Sequence, residues 1–336
     1  MTDKDPVAAW RNRLQGVDDL ADYPDIRGFD LSEDHSLEDV FDNFARTGFQ
    51  ASNLAQALET IKAMRREEAT IFFGCTSNQI SCGNRELIRY LVEHNYIDVL
   101  VTSAGGIEED IAKTFGPFKL GAFRVQGKAL RERAIHRIGN LWVPTDRYTK
   151  LDQFLTPLFN KLFPEHNGIG VSDLLKLVGE ELDHDESILT WAARNDIPVF
   201  CPAIQDGAFG DILYFRTHGD KEIVLDIAWE NRKITDVALA SEKTGAIILG
   251  GGVAKHYIFN SNILREGLDY VVNVNTAQEF DGSDSGGHLE EAISWDKIQE
   301  RGMRVKVHCD ASIAFPLLAS AWMRWERSKS ASSNQS

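Results

Sequence analysis

Seven carboxylates stand where short apolar runs give way to small residues, a pattern able to hold a cation. Glu108 and Glu109 follow DVLVTSAGG, Asp206 and Asp211 lie in QDGAFGD, Asp281 and Asp284 in EFDGSDSGG, and Glu291 comes shortly after. Taken singly, an Asp beside Gly is a turn former, because its side chain bonds its own backbone. Taken together they describe a negative pocket suited to a polyamine, with Trp295 available for a cation–π contact. His256, just past the glycines of GGGVAKH, is placed where an imidazole could move a proton. His184 in DHDE reads as a solvated acidic turn and not as a metal ligand. The four cysteines, Cys75, Cys82, Cys201 and Cys309, form no C-x-x-C pair. Neither a zinc site nor a disulfide framework is therefore expected, and no metal is assigned.

The same run ends carry small residues: Thr76-Ser77-Asn78, Ser103-Ala104-Gly105-Gly106, Gly250-Gly251-Gly252, Asn275-Thr276-Ala277 and Asp310-Ala311-Ser312. Small residues let the backbone approach a ligand, and a helix N-terminus that follows can hold phosphate. Any one of these ends is explained by a strand–helix turn, whereas the set points to a large phosphate-bearing ligand such as a dinucleotide. The usual fingerprint is missing, since no G-x-G-x-x-G follows an apolar run; Gly168 and Gly170 lack the third glycine.

The elements that would carry these residues are legible from periodicity. Apolar runs starting at Thr70, Asp98, Ile197, Gly245, Asp269 and Val305 alternate with amphipathic stretches such as NRELIRYLVEH. Near-continuous apolar strands separated by helices predict a doubly wound, Rossmann-like α/β domain with a mostly parallel sheet covered on both faces. A helix is expected to open at Ser36 with Asp39 completing a capping box, and a helical decoration is expected around 147–195. The organisation reads as an irregular segment over 1–35, one α/β domain over 36–327 and a disordered tail over 328–336. In 336 residues, 36 basic against 51 acidic side chains leave a formal charge of −15, which argues against nucleic acid as a partner. No apolar run is long enough to span a bilayer and no signal peptide opens the sequence, so a cytoplasmic protein without a membrane partner is expected.

The blocks FGCTSNQISCGNRELIRYLVEH, DVLVTSAGGIEEDI, RIGNLWVP, IPVFCPAIQDGAFGD, GGGVAKHYIFN and VKVHCDAS resemble those of the deoxyhypusine synthase family. The most specific is NTAQEFDGSDSG followed by EAISWDK, and the likeness runs in order from about Arg27 to about Leu318. It implies a homotetramer with NAD and spermidine at subunit interfaces. It also implies transfer of the aminobutyl group of spermidine to one lysine of the translation initiation factor 5A precursor, with release of 1,3-diaminopropane. Matched motif by motif, NAD would be held by Ser77, Asn78, Gln79, Ile80 and Ser81, by Ser103, Ala104, Gly105 and Glu109, and by Asp206, Gly251, Thr276, Ala277, Asp310 and Ala311. Spermidine would meet Glu108, Glu109, Asp211, His256, Gly282, Ser283, Asp284, Glu291 and Trp295. Lys297 would carry the aminobutyl group as an imine, with His256 relaying a proton. A nucleophilic lysine must be neutral, so Lys297 is expected to lie buried beside Trp295. Lys255, equally conspicuous in GGGVAKH, is read as loop-positioning. Two departures stand out: Tyr257 replaces a second histidine common in relatives, and the N-terminus is shorter than in many of them. The same motifs would serve homospermidine synthase, an offshoot that uses putrescine as acceptor. An inactive regulatory paralogue should have lost the lysine or the NAD-contacting residues, whereas Lys297, His256, Asp284 and Glu291 are all present.

Overall fold

The computed structural model describes residues 22–218 and 222–333, with 7, 10 and 20 as isolated positions before them. From 22 to 35 the chain makes turns and bends without helix or strand. The helix Leu37–Thr47 then opens on the expected capping box, with Asp39 N donating to Ser36 Oγ at 3.3 Å and Ser36 N to Asp39 Oδ2 at 2.7 Å. Phe41 from this helix is buried in the core, and Leu37 and Phe44 pack against it.

The strands are β1 (Thr70–Cys75), β2 (Val99–Thr102), β3 (Lys119–Leu120), β4 (Ile135–Ile138), β5 (Leu141–Pro144), β6 (Val199–Phe200), β7 (Thr244–Leu249), β8 (Leu268–Asn275) and β9 (Ile298–His308). Six of them form one sheet in the order β6-β2-β1-β7-β8-β9, with every pairing parallel. Counted along the chain within that sheet, the order is 3-2-1-4-5-6, that of the Rossmann fold. Alternate residues feed opposite faces. Ile71, Phe73, Ile247, Leu249, Val272 and Val274 join one buried cluster, while Phe72, Val101, Ala246, Ile248 and Val271 join the other. Burial on both faces explains why these strands read as unbroken apolar runs.

Two features differ from the sequence reading. A second, antiparallel sheet of order β3-β5-β4 lies between the helices Ala104–Thr114 and Asp146–His166. Its strands are short and carry Lys119, His136 and Arg137, so no hydrophobic alternation marks them. The available signal was Gly139-Asn140 between the paired Ile138 and Leu141, a two-residue hairpin turn with Gly139 at φ +57°. The terminal helix Ala311–Ser333 also continues through most of the tail expected to be disordered. The sequence there contains no Gly or Pro to stop it, and propagating an existing helix is easier than starting one. Among the described residues, no helix is long and apolar enough to cross a membrane.

The helices Asp146–His166, Val171–Leu182 and Ile188–Arg194 form the expected decoration. Buried Asp110, on the helix Ala104–Thr114, ties it to two helices that flank the sheet. Its carboxylate accepts from Arg85 Nε (2.8 Å), Ser187 Oγ (2.7 Å), Ile188 N (3.1 Å) and Leu189 N (3.0 Å). Asp110→Ala would strand the buried Arg85 guanidinium and is expected to cost about 3–5 kcal/mol. Urea denaturation measures it, and a midpoint equal to wild type would show the network to be dispensable.

Candidate active site

The carboxyl ends of β1 and β7 lie side by side at the point where strand order reverses, the usual ligand crevice of this topology. Gly250 has φ +100°, and a Cβ there would sit 2.6 Å from Thr76 Oγ1. A Cβ on Gly105 would lie 2.9 Å from Ser77 Cβ, and one on Gly251 only 2.7 Å from Ser285 Cα. The crevice wall is therefore bare backbone held close-packed. The helices Ala104–Thr114 and Gly252–Ser261 start there without side-chain caps on Ser103 or Gly251. Their first N–H groups are left to face an anion. Gln79, Ile80 and Ser81 are buried, with Lys113 Nζ donating to the Ile80 carbonyl at 2.8 Å. Asn84 Nδ2 bridges Gln79 Oε1 (2.8 Å) and the Ala311 carbonyl (3.1 Å), which ties Ser77–Ser81 to Asp310 and Ala311 at the end of β9. Ala277 N donates to Asn275 Oδ1 at 3.1 Å, so Thr276 and Ala277 leave β8 in a fixed direction.

Beside this crevice lies a first acidic group. Glu108, buried on the helix Ala104–Thr114, accepts from Phe209 N at 3.1 Å. Burial raises its pKa, and Asp211 and Asp206 raise it further. Burial pushes Glu109 up to about 7, with neighbouring Glu108 adding to the rise and the Ser81 hydroxyl, which donates to Glu109, opposing it. Four carboxylates on two helices and a loop thus converge, and a bound cation would be drawn to them.

A second group lies on one face of the sheet. Lys297 Nζ is 3.2 Å from His256 Nε2 and 5.6 Å from the centre of the Trp295 ring. Buried Lys255 donates to the Asp284 carbonyl and stands 3.8 Å from Asp284 Oδ2, with Glu291 near enough to raise its pKa against the lowering by burial. This sets the primary amine of Lys297 against a base and beside an aromatic ring, while the two carboxylates gather at Lys255. A base at hydrogen-bond distance suits a lysine that must act as a nucleophile.

A family model described as deoxyhypusine synthase matches residues 39–322. The chain belongs to the deoxyhypusine synthase family. It is 43% identical to the deoxyhypusine synthase of Senecio vernalis, over 91% of each chain, and 42% identical to that of Caenorhabditis elegans, over 87% of this chain and 88% of the relative. A solved structure from Entamoeba histolytica, provisionally assigned as a deoxyhypusine synthase, superposes with a TM-score of 0.64 at 28% identity, covering 88% of this chain and 95% of that one. Deoxyhypusine synthases are transferases, and the family's Rossmann-like fold is the one found here.

Of the residues expected from the deoxyhypusine synthase motifs, the structure gathers two sets that adjoin where Ser285 packs on Gly251, and it leaves the acidic group of the first set apart from Lys297. Ser77 to Ser81, Ser103 to Gly105, Gly251, Thr276, Ala277, Asp310 and Ala311 line the carboxyl edge. Glu108, Glu109, Asp206 and Asp211 adjoin it. Gly282, Ser283, Asp284 and Glu291 accompany His256, Trp295 and Lys297. Among the described residues, no hydrogen bond or ion pair links the Glu108–Glu109 group to the Lys297 group. Lys297 departs from one expectation, its burial beside Trp295. It precedes β9, and its carbonyl accepts from Leu268 N, the first residue of β8, so it lies at the amino edge and not in the crevice. Trp295 is 63% exposed and Lys297 only half-buried, so a single chain does not bury the pair. The reason is topological, because the chain must return across the sheet between β8 and β9.

Glu109 gives a pH test. Its folded pKa, about 7, exceeds the ordinary 4.5, so the folded state holds the extra proton between those values. The stability contributed by the protonated carboxyl is complete below pH 4.5 and lost as pH rises through about 7. Between pH 5 and 8, wild type should lose about 1–3 kcal/mol relative to Glu109→Gln, which never ionises. Parallel denaturant titrations of the two proteins would detect it; a constant difference across that range would refute the assignment.

Proposed function

We propose that this chain catalyses NAD-dependent transfer of the 4-aminobutyl group of spermidine to a lysine of the translation initiation factor 5A precursor. The observation that carries the reading is the Lys297–His256 pair at 3.2 Å, beside Trp295 and the loop bearing Asp284. The uncapped helix starts and close-packed glycines at the crevice fit NAD, whose pyrophosphate suits bare N–H groups and whose approach a side chain at Gly251 would hinder. Buried Glu109 offers an acceptor for a ribose hydroxyl or an ammonium. When bound, NAD would take the hydride that turns the secondary amine of spermidine into an imine and would return it at the end.

This chain's own residues account for the remaining steps. His256 takes the proton shed by the amine. Lys297 Nζ adds to the imine carbon, and the bond from that carbon to the departing nitrogen breaks as that nitrogen gains a proton. Released 1,3-diaminopropane leaves a four-carbon amine joined to Lys297 through a C=N bond. The acceptor lysine displaces Lys297 from that carbon, and reduction gives the stable secondary amine. Asp284 and Glu291 suit the ammonium ends, and their distance from the reacting nitrogen matters because an adjacent carboxylate would favour the protonated lysine.

The exposed Trp295 and the two separate residue groups support a site completed by a second copy, within the homotetramer that the family likeness implies. The decisive trial incubates the protein with NAD and labelled spermidine, then adds borohydride. One aminobutyl adduct is expected, mapping to Lys297. Lys297→Ala and Lys297→Arg should both lose transfer while retaining NAD binding, since a guanidinium stays protonated and forms no imine. An adduct on Lys255, or near-normal turnover by Lys297→Ala, would overturn the reading. Label passing to putrescine and not to the factor precursor would assign a different acceptor.

A further inference from the structure

The loop between β8 and the helix Leu289–Ile293 presents three consecutive backbone carbonyls inward, and each meets a donor from a different element. Lys255 Nζ, from the helix after β7, donates to the Asp284 carbonyl. Asn275 Nδ2, from the end of β8, donates to the Ser285 carbonyl at 3.0 Å. Lys306 Nζ, from β9, donates to the Gly286 carbonyl. The loop itself is a run of tight turns, with Gly286 N bonded to the Ser283 carbonyl (3.1 Å) and Gly287 N to that of Asp284 (3.2 Å). It has little room to relax. A Cβ on Gly286 would fall 1.6 Å from the Gln278 carbonyl oxygen, and Ser285 is seated on Gly251.

Nothing in the proposed chemistry uses Lys306 or Asn275, yet Asn275 is buried and Lys306 half-buried. Val305 and Val307 enter the core, which turns Lys306 the other way, beneath the loop. Burial lowers the pKa of Lys306 and of Lys255, opposed by Glu279 at the first and chiefly by Asp284 at the second. Asn275, buried at the end of β8, further donates to the Gly250 carbonyl at 3.1 Å, so one amide spans the loop and the glycine turn of the crevice.

We infer that Lys306, Asn275 and Lys255 form a three-point clamp that sets the Asp284 loop, making Lys306 a positioning residue for amine recognition. A carboxylate selects among ammonium groups only if its backbone is fixed, and fixing three successive carbonyls removes the hinge motions that would move Asp284. Lys306 acts through the loop and does not touch substrate. The inference rests on the proposed use of Asp284 for spermidine, but the clamp itself can be tested without that use.

Lys306→Met keeps the stem and removes the donor; Lys306→Gln serves if the first variant folds poorly, and Lys306→Arg restores a donor. Hydrogen exchange by mass spectrometry on the full-length protein should show the Gly286 and Gly287 amides opening about 10-fold more readily in Lys306→Met and near wild type in Lys306→Arg. Spermidine KM should rise about 10-fold or more, with NAD affinity unchanged. In the Asp284→Asn background, adding Lys306→Met should raise KM less than about 2-fold, because both act on one contact. Unchanged exchange would overturn the clamp. Altered exchange with unchanged KM, or an equal loss of NAD affinity, would overturn its role in amine recognition. If wild type does not consume spermidine at all, the proposed function fails, while the exchange result still decides the clamp.

Discussion

A parallel strand can be followed by another only after the chain has travelled back from the carboxyl to the amino edge of the sheet. Six parallel strands in the order found here impose that return five times. Every strand thus delivers its last residues to the same edge, and every return segment lies along a face. Thr76, Ser103, Gly250, Asn275 and Asp310 reach one crevice for the first reason. For the second, His256 and Lys297 meet on a face, because both sit on segments heading back.

Electrostatics divides the site in the same way. The crevice combines uncapped helix starts with bare glycine backbone, which suits an anion, and it adjoins the buried pair Glu108 and Glu109, which suits a cation. The face holds an alternating set of Lys255, Asp284, Glu291, Lys297 and His256, in which buried Lys255 faces the loop carbonyl and the amine of Lys297 faces the imidazole. The two lysines are thereby distinguished by geometry: Lys255 is tied to the Asp284 carbonyl and carboxylate, and Lys297 is directed at a base.

The main sheet was legible because each strand buries both faces, which writes TIFFGC or VLVT as continuous apolar runs. The carboxylates were legible because Asp and Glu stand out beside glycine. The exposure of the Lys297–Trp295 pair was not legible, because it follows from the return to β9, which carries Lys297 to the amino edge of the sheet. The β3-β5-β4 sheet was hidden by its short, charged strands. Asp110, Asn275 and Lys306 act through contacts between residues far apart in the chain, and no local pattern announces such contacts. Even the capping box at Ser36, read correctly, is local. The exposed Trp295 leaves the Lys297 pair open in a single chain.

On the proposed function, the acidic group that includes Asp211 and the Lys297 group meet across copies of this chain. Co-assembly of Lys297→Ala subunits with Asp211→Ala subunits tests it, because each variant damages one half. If the halves belong to different copies related by a twofold axis, mixed pairs contain one intact site, and random mixing restores roughly a quarter of wild-type transfer. If both halves of every site come from one copy, each site in the mixture carries a damaged half and no activity returns. Each site would then be complete within a single chain, against the shared-site reading.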